Sequence, residues 1–314
     1  MSIANPQTLV IPDRYAKMGV RQGFQPTPPD RLRMAIGGLY GKGKSTFVAS
    51  IPGALILDFD CASNNVYSSR AFHVQVTSWE TYETIKAQVF ADKLKGDCPF
   101  TRVVFDPLDA FLMPLVDLHV LDVRRKQSKS DNASIFNVTT ITEYGQEGMG
   151  YRILRAELIK ELRSWFNAGF PWVITYQMKA TKEAEARYPL MAPSALGLVL
   201  GEADLTGYVH SKPVLVTYTE TKRINPTKVI EIPRQKTEIR FLLDILPENA
   251  LTDEKRRILG LNESIPLPPV DGWASFVEKY EAAIARLNAG DIQLQSSVVA
   301  PAPEPAAPPE EKKP

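Results

Sequence analysis

Residues 34–49 read Met-Ala-Ile-Gly-Gly-Leu-Tyr-Gly-Lys-Gly-Lys-Ser-Thr-Phe-Val-Ala. The apolar run at 34–37 reads as a strand entering a glycine-rich turn, and Thr46-Phe-Val-Ala49 as a helix leaving it. Gly38, Gly43, Lys44 and Ser45 satisfy G-x-x-x-x-G-K-[ST], a spacing with a physical basis. Without Cβ atoms at Gly38, Gly41 and Gly43, backbone N–H groups can turn inward and approach phosphate oxygens. The helix N-terminus adds the positive end of its dipole. Gly38, Leu39, Tyr40, Gly41, Lys42, Gly43, Lys44, Ser45 and Thr46 are thus the candidate phosphate cradle. Lys44 is expected to reach the β and γ phosphates, and the Ser45 hydroxyl to ligate Mg²⁺, with ATP as the nucleotide.

Such a loop needs a carboxylate on the metal side, at the end of a neighbouring buried strand. Val103-Val-Phe-Asp106 offers one, and Asp106 is expected to hold Mg²⁺ through water. Asp109, one turn further, reads as a surface or capping group. Leu55-Ile-Leu-Asp58-Phe-Asp60 is a second apolar strand ending in acids, and parallel strands deliver their C-terminal ends to one crevice. One of Asp58 and Asp60 can poise the attacking water; Asp60, further past the strand end, is the candidate.

Working outward, residues 1–30 read as an extended arm, with Pro26, Pro28 and Pro29 near its end. Strands are expected at 31–37, 54–59, 72–76, 102–106 and 172–177. A capping box at Thr77-Ser-Trp-Glu80 opens a helix to about 94, another helix follows 106 to about 123, and 151–168 is amphipathic through Leu154, Leu158, Leu162 and Trp165. The polar stretches 124–150 and 178–200 read as irregular loops. A hairpin is expected from 214–221 and 228–232, then a strand at 238–243 and a helix at 273–287. Residues 246–295 form a helical extension to a core at 31–245, and 296–314 are a disordered Pro/Ala/Glu tail available to a protein partner. Alternating strands and helices imply an α/β fold with a mostly parallel sheet, helices on both faces and a C-terminal β-hairpin.

The 314 residues carry a net charge of +1, so any polyanion site must be a local patch. Cys61 and Cys98 match no metal-ligand spacing and read as reduced thiols. With neither a membrane-length apolar run nor a signal-peptide pattern, a cytoplasmic location without membrane association is expected.

The order of these parts resembles the RecA-like P-loop ATPases, and among them phage-encoded ATP-binding proteins of recombination and single-strand annealing. The matching places are Gly38–Ser45, Asp58-Phe-Asp60, the strand ending at Asp106, and Val173-Ile-Thr-Tyr-Gln177. Further echoes are Gly150-Tyr151 and Ala203-Asp-Leu-Thr-Gly-Tyr208. The resemblance implies that Gln177 senses the γ-phosphate, so that Lys44, Asp60, Asp106 and Gln177 form the catalytic set. It also implies a homo-oligomer, ring or filament, in which Lys222 and Arg223 reach a neighbour's nucleotide. Single-stranded DNA is the implied partner, held by 124–150 and 178–200 with Arg124, Arg125, Lys126, Lys129, Lys179, Lys182 and Arg187, and with Phe136, Tyr144 and Tyr188 for stacking. If phage-encoded, the chain works in the host cytoplasm. Asp60 stands where the family usually has Glu, and Gln177 where the phage group often has His. A nucleotide or small-molecule kinase, and an ATP-binding scaffold or loader, are the alternative functions. A GTP switch is disfavoured, since Asp106-Pro-Leu-Asp109 lacks the expected glycine.

Overall fold

The computed structural model describes residues 12–17, 26–61, 70–128, 133–145, 148–180, 187–189, 193–225, 228–245 and 264–289. In chain order the elements are α1 (Asp13–Ala16), β1 (Met34–Gly38), α2 (Lys44–Ala49), β2 (Ala54–Asp58), β3 (Phe72–Gln75), α3 (Trp79–Lys95), β4 (Arg102–Asp106), α4 (Leu108–Ala110), α5 (Asp117–Gln127), α6 (Ala133–Phe136) and α7 (Met149–Asn167). There follow β5 (Trp172–Ala180), β6 (Arg187–Pro189), α8 (Pro193–Glu202), β7 (Leu205–Asn225), β8 (Lys228–Asp244), β9 (Ile265–Pro266) and α9 (Gly272–Asn288).

Among the described residues the sheet runs β3-β2-β4-β5-β1-β7-β8-β9, with β6 paired to β5. From β3 to β7 every neighbour is parallel; β7–β8, β8–β9 and β5–β6 are antiparallel. The expected fold class is the one found: a mostly parallel sheet wound on both faces, closed by a C-terminal hairpin. Strands buried on both sides read as continuous apolar runs, and alternation divides them. Leu55, Leu57, Val103 and Phe105 enter one core with α3, α5, α7 and α8, while Ile56, Val104 and Val173 enter the other with α2 and α9. On α7, Leu154, Leu158, Leu162 and Trp165 are all buried in the first core, as their spacing requires.

Several boundaries move. The N-cap of α3 is Ser78, whose Oγ accepts Thr81 N–H at 3.2 Å, one residue after the expected Thr77. Stretch 124–150 is not a continuous loop. Its Ile135 and Ile141 are buried, and Asp117 Oδ1 accepts Ile141 N–H at 2.7 Å, so the polar sequence is pinned at points that periodicity does not reveal. Stretch 178–200 likewise contains the end of β5, β6 and most of α8. The separate strands expected between 205 and 244 are two long ones, paired from Tyr208↔Asp244 to Asn225↔Lys228. Beyond Ser211 this hairpin is an arm with both faces largely exposed: Leu215 and Ile239 stand 62% and 67% exposed. The end of the N-terminal arm docks instead of trailing, since Tyr280 donates to Thr27 O at 2.5 Å and Arg102 to Pro29 O at 2.8 Å. Helix α9 covers the phosphate-loop helix: Phe47 meets Trp273 and Phe276 with centroids 6.3 Å away, and Ser50 Oγ accepts Trp273 N–H at 2.8 Å. The tail at 296–314 lies outside the described residues. No helix among the described residues is long and apolar enough to cross a membrane.

Candidate functional site

The site forms where four parallel strands end side by side. Gly38 is in register with Gln177 on one side and Val209 on the other, and Asp58 with Asp106. Because β5 lies between β1 and β4, Gln177 is level with Gly38 of the phosphate loop, while Thr175, two residues earlier, bonds Asp106.

The loop backbone is fixed by glycine where nothing else fits. A Cβ on Gly38 would lie 2.6 Å from Val209 O, so any side chain there would push β1 from β7. Gly43 caps α2 at φ 95°, with the Phe241 ring 3.1 Å from where its Cβ would be. Lys42 Nζ donates to Ser211 Oγ at 3.0 Å and ties the loop to β7. Tyr40 stands out at the loop tip, 79% exposed, and Leu39, Gly41 and Thr46 complete the turn into α2.

Lys44 is buried, its ammonium donating to Gly38 O at 2.9 Å and Leu39 O at 3.0 Å. Burial lowers its pKa, while the charges of Asp106, Asp109 and Asp60 act in the opposite direction. Three acids thus share the field of one cation. Asp106 is also buried, and burial pushes its pKa up; hydroxyl donors on Thr175 and Ser45 pull it down, and the charge of Asp58 pushes it up again. The Ser45 hydroxyl thus lies within reach of the Asp106 carboxylate. A desolvated carboxylate beside a hydroxyl suits a hard cation that takes its other ligands from phosphate and water, as Mg²⁺ does. Among the described residues no group of three His, Cys, Asp or Glu could hold a metal ion.

Asp58 is buried at the end of β2, and Asp60 is exposed two residues beyond it. Gln177 is half-buried, and its backbone N–H donates to Asp109 Oδ2 at 2.7 Å. Sequence reasoning assigned Asp109 to the surface or a cap; it instead holds the strand that carries Gln177, close enough for its charge to act on Lys44. Thr175 was missed altogether. Its signal was a lone hydroxyl inside the buried run Trp172–Tyr176, where a polar side chain needs a partner.

The expected polymer contacts are only partly brought together. Arg125 turns inward, donating to Val138 O at 2.7 Å, while Arg124 and Lys126 are exposed and Phe136 is half exposed. Lys179 is exposed on β5. Lys129 and Lys182, and the side chains of Arg187 and Tyr188, lie outside the described residues. Lys222 and Arg223 pair with Ile230 and Val229 at the far end of the hairpin, as expected; their side chains also lie outside the described residues.

Residues 30–231 match the AAA domain family. No curated protein matches the chain.

Proposed function

The chain belongs to the AAA domain family, which makes it an ATP-binding and ATP-hydrolysing enzyme of the P-loop class, and from that premise we propose that its turnover is coupled to single-stranded DNA. In this reading Lys44 leaves the carbonyls of Gly38 and Leu39 for the β and γ phosphates, and Ser45 and Asp106 hold Mg²⁺. The metal supplies charge neutralisation between the phosphates. Asp60, outside the buried strand end, orients the attacking water.

The observation that carries the coupling is the position of Gln177. It is in register with Gly38 of the phosphate loop, and its own strand continues past the crevice to Ala180 and pairs with β6. A ligand that holds this outer strand acts on Gln177 through continuous backbone, and linkage requires the nucleotide state to act back on that ligand equally. The protein acts as an oligomer in which Lys222 and Arg223, at the end of the arm, approach the nucleotide of a neighbour.

The test is phosphate release with and without oligothymidylate, together with strand affinity in ATP analogue and in ADP. Stimulated release and tighter binding with the analogue are expected. Gln177→Ala should retain nucleotide binding and erase the difference, and Asp60→Asn should bind ATP but cleave it slowly. Equal strand affinity in both nucleotide states of the unmutated protein would end the coupling. If Asp58→Asn is the slow variant and Asp60→Asn is not, the water belongs to Asp58.

A further inference from the structure

Arg152, Arg155, Lys160 and Arg163 occupy one side of α7, and with Ala156, Ile159 and Leu198 of α8 they line a groove of about 610 Å³. We propose that this groove is a track for the phosphodiester backbone of single-stranded nucleic acid, centred on α7 outside 124–150 and touching 178–200 only at Leu198. The proposal rests on the DNA-coupled reading and gives it a surface.

Charge is the first argument. A chain of net charge +1 has no general excess of cations to scatter, yet four of the seven lining residues are basic and none is acidic. The acids nearby are on the rim: Glu157 on Lys160 at 2.6 Å, and Glu202 on Arg163 at 2.6 Å. Among the described residues Arg152 and Arg155 have no carboxylate partner; Arg155 Nε donates to the carbonyl of Tyr151 in its own helix. Spacing is the second argument. From Arg152 to Arg163 the stripe is about 16 Å long at the rise of an α-helix, room for several consecutive phosphates. Aromatic rings at its two ends are the third. Tyr151 and Phe166 are each 41% exposed; one face of Phe166 carries the Arg33 guanidinium 4.6 Å from its centroid, which leaves its other face and Tyr151 as stacking platforms for unpaired bases. An acidic peptide would use the cations but has no need of the rings.

The groove is also wired to the phosphate-loop strand. Glu202 joins Arg163 to Arg33, whose guanidinium is 3.6 Å away. Asp204 accepts Arg33 N–H, Nε and Nη2 at 3.1, 3.0 and 2.9 Å, and β1 begins at the next residue. A strand drawn onto Arg163 competes with Glu202 for that guanidinium, frees Glu202 toward Arg33, and so reaches the root of β1.

The experiment is fluorescence anisotropy of labelled oligothymidylate across a salt series. It compares the full chain with Arg152→Glu/Arg155→Glu and the milder Arg152→Gln/Arg155→Gln, each checked for unchanged melting temperature and strand-independent ATP hydrolysis. The charge reversal is expected to weaken binding by about tenfold or more, and loss of two phosphate contacts lowers the log–log salt slope by about 1.4. The glutamine pair should lose the same slope with a smaller drop in affinity. If the unmutated protein binds no strand at low salt, the groove and the DNA-coupled reading both fall. If it binds, and both variants bind equally well with the same slope, the groove falls and the DNA-coupled reading stands. Displacement of the strand by polyglutamate as readily as by unlabelled oligothymidylate would assign the groove to an acidic polypeptide and overturn the proposal.

Discussion

Two buried lysine–carboxylate clusters lie on this sheet, and they are built to opposite ends. Between α3 and α7, Glu161 accepts from Lys86 at 2.5 Å and from Tyr82 at 2.8 Å, and Tyr82 Oη in turn accepts Trp165 Nε1–H at 2.9 Å. Every charge there has its complement within reach, and burial together with Glu161 holds the Tyr82 hydroxyl well above its ordinary pKa. At the strand ends, Lys44 is bonded to backbone carbonyls, and Asp106 takes hydroxyl donors in place of an ammonium. The first cluster is closed and stabilises one packing. The second leaves cation and carboxylate within each other's field but without a direct bond, an arrangement that suits exchange with phosphate and metal.

The comparison breaks if substitutions in the two clusters behave alike. Lys44→Ala should lower ATP hydrolysis by more than about a hundredfold, roughly 3 kcal/mol of barrier. The melting temperature should hold or rise, because a desolvated cation is removed; phosphate release and a thermal scan check both halves. Glu161→Ala should do the reverse, lowering stability in urea by about 3 kcal/mol, because Tyr82 and Lys86 lose their buried acceptor and Lys86 keeps only Glu83 at 3.7 Å. Nucleotide affinity of the folded fraction should be unchanged.

Asp106→Asn sharpens the contrast through pH. A carboxyl whose folded pKa is raised stabilises the fold below its unfolded pKa and loses that contribution as pH rises through the folded value. With chelator and no nucleotide, the unmutated protein should therefore lose stability relative to Asp106→Asn as pH climbs through that value. Dependence of ATP binding on Mg²⁺ should weaken in the variant. A difference independent of pH would show that Asp106 is not held in the desolvated state. The smallest effect is expected from Tyr82→Phe, about 2 kcal/mol, since Trp165 N–H and one lone pair of Glu161 lose their partner.

The open cluster was half legible in the sequence. Gly38–Ser45 and Asp106 declare themselves because a phosphate cradle constrains residue type at fixed spacing, and buried parallel strands are long apolar runs. Thr175 and Asp109 were not legible, because each acts across the sheet on a residue distant in sequence: Thr175 on Asp106, Asp109 on Gln177. The closed cluster gave no sign, since Tyr82, Lys86, Glu161 and Trp165 look like ordinary helix residues until α3 and α7 are packed. The hairpin itself was expected; its full length, from Leu205 to Asp244, was hidden for another reason. Pro213, Pro233 and charges such as Lys212, Lys236 and Arg240 interrupt the alternation that marks a half-buried strand, and beyond Ser211 there is no core to impose it.

That hairpin makes β7 a single piece of chain in two mechanical regimes. From Leu205 to Val209 it is a clamped beam, buried and bonded to β1, with the Val209 carbonyl lying where a Cβ on Gly38 would go. Beyond Ser211 it is a cantilever, stiffened among the described residues by its ladder to β8 and by cross-strand contacts such as Arg234–Glu220 at 2.9 Å. Tension on the free end is carried rung by rung into the clamped end, where the nearest neighbour is the phosphate loop. Amide hydrogen exchange would map the boundary: slow from 205 to 209, then faster outward, with the step at the point where the arm leaves the sheet.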